Sequence, residues 1–221
     1  MQPRVKICCI SSREEARLAI KHGAAALGLV SEMPSGPGVI DEKLIAEIAE
    51  QIPPPVATFL LTSKTNANEI IAQQKRTRTN TIQICDSVAF DLYDKLHEAL
   101  HGVSIVQVVH VSGRESFDEA MMVAEKVDAL LLDSGNQSLA VKELGGTGRT
   151  HDWAISKMIV AESPKPIFLA GGLKPENVAE AITNVRPFGL DICSGVRTNG
   201  KLDEEKLISF FQNIETSVSN F

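Results

Sequence analysis

Three apolar runs in the C-terminal half end in residues that can do chemistry. Leu130-Leu131-Leu132 stops at Asp133-Ser134, Ile167-Phe168-Leu169-Ala170 at Gly171-Gly172, and Leu190-Asp191-Ile192-Cys193 at Ser194-Gly195. A glycine-rich element, Gly145-Gly146-Thr147-Gly148-Arg149-Thr150, lies between the first two. A carboxyl at the end of a strand can move protons. Backbone N–H groups at glycine turns that lead into helices point at an anion, and the missing Cβ lets it come close. Gly171, Gly172, Ser194 and Gly195 are therefore the candidate phosphate site, with Gly146-Thr147-Gly148 closing over the same group. One glycine pair would be equally at home in a tight turn, but two consecutive strand ends carry this pattern.

The elements that must position these residues are read from periodicity. Strand-like runs begin near Val5, Ala26, Val56, Thr81, Ile105, Ala129, Ile167 and Leu190, with helical patterns in the gaps. Helical stripes are Leu44, Ile45, Ile48 and Ile52 after Asp41, then Phe117, Ala120, Met121 and Ala124, and later Leu207, Phe210, Phe211 and Ile214. Pro175 to Val185 is a further helix, with Val178, Ala181, Ile182 and Val185 on one face and Pro175 in the first turn. Alternating β and α units predict parallel strands with right-handed crossovers. Eight units favour a closed (β/α)8 TIM barrel over an open sheet, and no Gly-x-Gly-x-x-Gly fingerprint follows the first strand. The stretch of about 20 residues from Asp133 to Asp152 is long for a connection and reads as a binding loop before a helix capped by Asp152.

Composition narrows the function. The chain has 221 residues and no linker or compositional break, so residues 1–221 read as one domain. A net charge of −6 leaves no basic footprint for nucleic acid. No apolar stretch is long enough to cross a membrane, and Met1-Gln2-Pro3-Arg4 leads into a strand-like run with no signal-peptide pattern. Four cysteines without metal-ligand spacing read as reduced thiols in a cytoplasmic protein. Homo-oligomerisation is left open by the sequence.

Five ordered segments resemble the phosphoribosylanthranilate isomerase family of (β/α)8-barrel enzymes in tryptophan biosynthesis. They are Val5-Lys6-Ile7-Cys8 with Glu14-Glu15-Ala16, Asp128-Ala129-Leu130-Leu131-Leu132-Asp133-Ser134, Gly145-Gly146-Thr147-Gly148-Arg149-Thr150 with Asp152-Trp153, Leu169-Ala170-Gly171-Gly172-Leu173-Lys174-Pro175-Glu176-Asn177-Val178, and Ser194-Gly195-Val196. The resemblance implies an Amadori rearrangement of an N-(5-phosphoribosyl) aminoaldose to its 1-deoxyribulose ketose, with no metal or organic cofactor. It also implies Cys8 as the base that takes the C2 proton and Asp133 as the acid that opens the furanose ring. On the residues alone, Cys8 is equally a small buried hydrophobe and Asp133 a capping carboxylate.

The chain departs from the family at the mouth. Gly36-Pro37-Gly38 stands where the family has Ser-Pro-Arg, whose arginine clamps the anthranilate carboxylate. Losing one partner of such a charge-assisted pair costs about 2–5 kcal/mol. Cys9 replaces a glycine, Gln83-Ile84-Cys85-Asp86 replaces Gln-Leu-His-Gly, and His151 and Arg197 also differ from the family. Three readings compete. Arg197 or His151 supplies the lost cation, with Gln83 completing the substrate-binding set. Alternatively, the chemistry serves a phosphosugar amine without that carboxylate. Or the chain is a phosphosugar-binding protein without isomerase activity.

Two further expectations concern the barrel interior. Lys6 and Asp191 precede Cys8 and Cys193 by two residues on the first and last strands, which closure makes neighbours. An interior Lys6–Asp191 ion pair beneath Cys8 is therefore expected, in preference to a Schiff-base lysine. A thiolate metal site built from Cys8 or Cys9, Cys85 and Cys193 is the weaker alternative, because the short paired spacing of zinc sites is missing.

Overall fold

The computed structural model describes residues 2–135, 142–144, 148 and 150–219. The elements are β1 (Arg4–Ile7), α1 (Arg13–Lys21), β2 (Ala26–Val30), α2 (Glu42–Ala49), β3 (Ala57–Thr62), α3 (Ala67–Thr77), β4 (Thr81–Ile84) and α4 (Phe90–Ala99). They continue with β5 (Ser104–His110), α5 (Glu115–Ala124), β6 (Ala129–Asp133), α6 (Trp153–Glu162), β7 (Ile167–Leu169), α7 (Val178–Val185) and β8 (Gly189–Ile192). A 3-10 turn at Ser194–Val196, the short hairpin β9 (Arg197–Thr198) and β10 (Lys201–Leu202), and α8 (Glu204–Ser219) complete the chain. Strands β1 to β8 pair in parallel in sequence order, and β1 closes on β8.

Two apolar layers follow from the period-two alternation of the strands. Outward residues such as Ile7, Leu29, Leu60, Ile82, Leu130, Leu169 and Leu190 pack against the helices. Inward residues such as Cys8, Ala26, Phe59, Val106, Leu131 and Phe168 fill the barrel. Both faces of each strand are covered, so the strands read as nearly unbroken apolar runs. Helix starts are set locally: the side chains of Ser12, Asp41, Asn66 and Asp152 accept hydrogen bonds from the first turns of α1, α2, α3 and α6.

The expected Lys6–Asp191 pair is present. The β1–β8 register sets Lys6 beside Asp191, and Lys6 Nζ donates to Asp191 Oδ1 at 2.8 Å with no exposure of the lysine. Burial alone would neutralise Lys6, but the adjacent carboxylate and thiols outweigh it and hold the proton on. The Phe59 ring lies 5.3 Å from the same ammonium.

Expectation and structure differ at the ends of elements. Helix α7 begins at Val178, with Pro175 in the turn before it. Asn177 causes this delay: its Oδ1 accepts from Lys174 N and its Nδ2 donates to Gly172 O, which satisfies the backbone without a helix. Helix α2 stops before Ile52, which still packs on the core. The hairpin after the 3-10 turn was not anticipated. No helix among the described residues is long and apolar enough to cross a membrane.

Candidate functional site

Cys8 sits one residue beyond β1, and its inward direction follows from strand alternation. It is buried among the barrel-filling residues, and its backbone N–H donates to Ile192 O at 2.8 Å. Asp133 ends β6 and points into the same space. The strand order puts β7 and β8, with their glycine turns, between β6 and β1.

These strand ends line one cleft that opens at the mouth of the barrel. Cys8, Gln83, Asp133, Gly148, Gly171, Gly172 and Ser194 all line it. Its other flank is apolar, formed by Val30, Met33, Pro37, Leu61 and Leu144. The glycine turns and the apolar flank therefore lie on opposite sides of Cys8 and Asp133.

Burial pushes the Asp133 pKa up, and the nearby Asp191 charge adds to this, against a hydrogen bond from Ser134 N at 2.7 Å. A carboxyl so placed holds its proton further toward neutral pH and suits an acid. Gln83 Oε1 is buried without a hydrogen-bond partner. Gly171 and Gly172 both have positive φ, 80° and 62°. Gly195 serves differently. A Cβ there would collide with Leu173 O, so this glycine packs the 3-10 turn against the loop after β7 and does not line the cleft. Gly146 and Thr147, with Arg149, lie outside the described residues.

Two expected cations are elsewhere. Arg197 is buried behind the strand ends, where its guanidinium donates to both Glu15 oxygens at 2.9 and 3.1 Å, Gly200 O, Cys8 O and Cys9 O. It is committed to holding the backbone of Cys8 and Cys9, which rules it out as a carboxylate clamp. His151 is mostly buried, with Nε2 2.7 Å from Ser156 Oγ, and desolvation drives its pKa down to about 4. It is neutral at ordinary pH and does not line the cleft. Among the described residues, no arginine, lysine or histidine does.

A cation not singled out from the sequence occupies the neighbouring depression, which shares Met33 with the cleft. Lys142 Nζ donates to Asp86 Oδ1 and Oδ2 at 2.9 and 2.7 Å, and its carbonyl accepts from Ser35 Oγ. The available signal was Asp86, an acid where the family has glycine.

The Gly36-Pro37-Gly38 departure is coupled to Cys9. Cys9 has φ 61°, a conformation suited to the glycine it replaces, and its Sγ lies 3.6 Å from Pro37 O. Gly38 has φ 81°, and a Cβ there would run into Cys9 Cβ. The sulfur fills space that a side chain at position 38 would need. All four cysteines line the cleft, and Cys85 is buried with its pKa pushed up to about 12 by desolvation. No group of three or more His, Cys, Asp or Glu among the described residues is placed to hold a metal ion.

The model of the family described as N-(5'phosphoribosyl)anthranilate (PRA) isomerase matches residues 5–213. N-(5'-phosphoribosyl)anthranilate isomerase 2 of Methanosarcina mazei is 36% identical over 209 residues, covering 94% of this chain and 92% of its own. The crystal structure of phosphoribosyl anthranilate isomerase from Thermotoga maritima has a TM-score of 0.83 and 29% identity, over 97% of this chain and 99% of its own. A crystal structure of the isomerase in complex with reduced 1-(o-carboxyphenylamino)-1-deoxyribulose 5-phosphate has a TM-score of 0.80 and 27% identity, over 97% and 99%.

Proposed function

Because the chain belongs to the N-(5'-phosphoribosyl)anthranilate isomerase family, we propose that Cys8 and Asp133 carry out an aldose–ketose isomerisation of a phosphoribosylated amine, with phosphoribosylanthranilate the first substrate to test. The observation that carries this reading is the shared cleft, in which a thiol and a proton-holding carboxyl flank a glycine-walled anion end.

Asp133 donates its proton to the furanose ring oxygen as the C1–O bond breaks, leaving an iminium between C1 and the amine. Cys8, as thiolate, removes the C2 proton, and the electron pair moves to form the enolamine. Tautomerisation then gives the 1-amino-1-deoxyribulose. The Lys6 ammonium supports the thiolate from below, and Arg197 holds the Cys8 carbonyl. The turns at Gly171-Gly172 and Ser194, with Gly148, hold the 5-phosphate by backbone N–H groups. Gln83 accepts from a ribose hydroxyl. The four free thiols suit a reducing compartment, which supports placement in the cytoplasm.

Fluorescence of freshly made phosphoribosylanthranilate tests this directly. The reading expects the signal to decay faster with the protein than without it. Unchanged decay together with binding of a ribulose phosphate would favour a different amine substrate or a phosphosugar binder. A second reading concerns the amine: the described lining has no cation for the anthranilate carboxylate, which favours an uncharged aromatic amine. Phosphoribosylaniline turned over with a kcat/KM at or above that of phosphoribosylanthranilate would support it, and a preference above about tenfold for the carboxylate substrate would end it.

A further inference from the structure

Two sulfurs that this reaction does not use stand together at the mouth of the cleft. Cys9 and Cys193 are 184 residues apart in sequence, yet their Sγ atoms are 2.7 Å apart. They follow neighbouring strands, β1 and β8, whose register places Ile7 beside Ile192. A disulfide bond is about 2.05 Å long, so less than about 1 Å of sulfur movement separates contact from bond. Both residues line the cleft; Cys193 is partly exposed there and Cys9 is buried beside it. Cys9 is held by the bond from Arg197 to its carbonyl at 2.6 Å and by its 3.6 Å contact with Pro37 O.

We propose that Cys9 and Cys193 form an oxidant-sensitive thiol pair that closes to an intramolecular disulfide across the β1–β8 seam, a modification site beside Cys8. The co-reactant is a small-molecule disulfide such as oxidised glutathione. Cys193 attacks first: it is the more exposed of the two, and its contact with Cys9 and the nearby Arg197 charge both favour its thiolate. Its sulfur displaces one glutathione thiolate and forms a mixed disulfide. Cys9 sulfur then attacks the Cys193 sulfur, gives up its proton and releases the second glutathione. Two protein thiols lose two electrons and two protons, and one glutathione disulfide becomes two thiols. The bridge ties the strand end that carries Cys8 to the turn that opens onto Ser194.

The test is intact mass and peptide mapping of the folded protein in excess oxidised glutathione. The expected result is a loss of about 2 Da with a cross-link between the Cys8–Cys9 and Cys193 peptides, reversed by dithiothreitol. Cys8→Ser should lose the same about 2 Da, whereas Cys9→Gly, the residue that φ favours, and Cys193→Ser should not. Four thiols persisting in the native protein would overturn the proposal. So would a cross-link that survives in Cys193→Ser or disappears in Cys8→Ser.

Discussion

Asp133 and Cys8 are held in different ways, and the difference sets what each substitution should do. Asp133 is a buried carboxyl whose pKa is raised by burial above the ordinary 3.8. Its folded form binds the proton more tightly than the unfolded chain does. Its contribution to stability is thus complete below the ordinary aspartate value and is lost as pH rises through the raised folded one. Asp133→Asn should lower kcat at least about 100-fold. The same variant should melt higher than the parent, by a margin that grows from acid to neutral pH, as differential scanning calorimetry would show. A melting gain that shrank with pH would contradict the raised pKa. Cys8→Ala should lower kcat by a similar factor while phosphate affinity hardly changes, because the turns proposed to hold the phosphate follow β7 and β8. Gly38 poses a third residue-scale question. Gly38→Arg should destabilise by about 1–3 kcal/mol through collision with Cys9 and the unfavourable positive φ. In a Cys9→Gly background the cost should fall, so that a double-mutant cycle gives a favourable coupling of about 1 kcal/mol or more.

At the scale of elements, the first turn of α1 and the hairpin β9–β10 meet beside the end of β1. Glu15 accepts from Arg197, Leu202 N and Ser11 N, and these bonds outweigh burial and keep its carboxylate charged. Arg197 in turn grips the carbonyls of Cys8 and Cys9. Arg197→Met should cost about 3 kcal/mol in urea unfolding, because Glu15 would be left buried without its partner. It should also lower kcat more than KM, since the thiol would lose its placement while the phosphate turns remain. The eight strands and the stripes of α2, α5, α7 and α8 were legible in the sequence because each pattern is local and repeats with its element. The hairpin was not: two residues per strand are too short for alternation to register. The delayed start of α7 was equally hidden, because it depends on where the Asn177 amide turns.

At the scale of the molecule, closure of the barrel brings the chain's first and last strands together. The Lys6–Asp191 pair lies inside that seam and the Cys9–Cys193 pair at its rim. A disulfide there would close a loop of most of the chain, and oxidised protein should melt roughly 5–15 °C above reduced protein. Circular dichroism with and without dithiothreitol measures this, and equal midpoints would mean that strain in the folded state cancels the loop entropy.

The alternation of strands and helices, the position of Asp133 and the glycine turns at strand ends and the Lys6–Asp191 pair followed from the sequence alone. Period-two patterning fixes which way a strand residue points, and closure pairs the outer strands in register. Beyond the first residue after a strand, no period constrains a side chain, and only the tertiary structure decided the rest. It turned Arg197 inward to Glu15, left His151 neutral beside Ser156, and set Cys9 against Gly38 and Cys193. Those outcomes depend on which loops converge at the mouth and on the space they leave one another, which are long-range properties that no local pattern encodes.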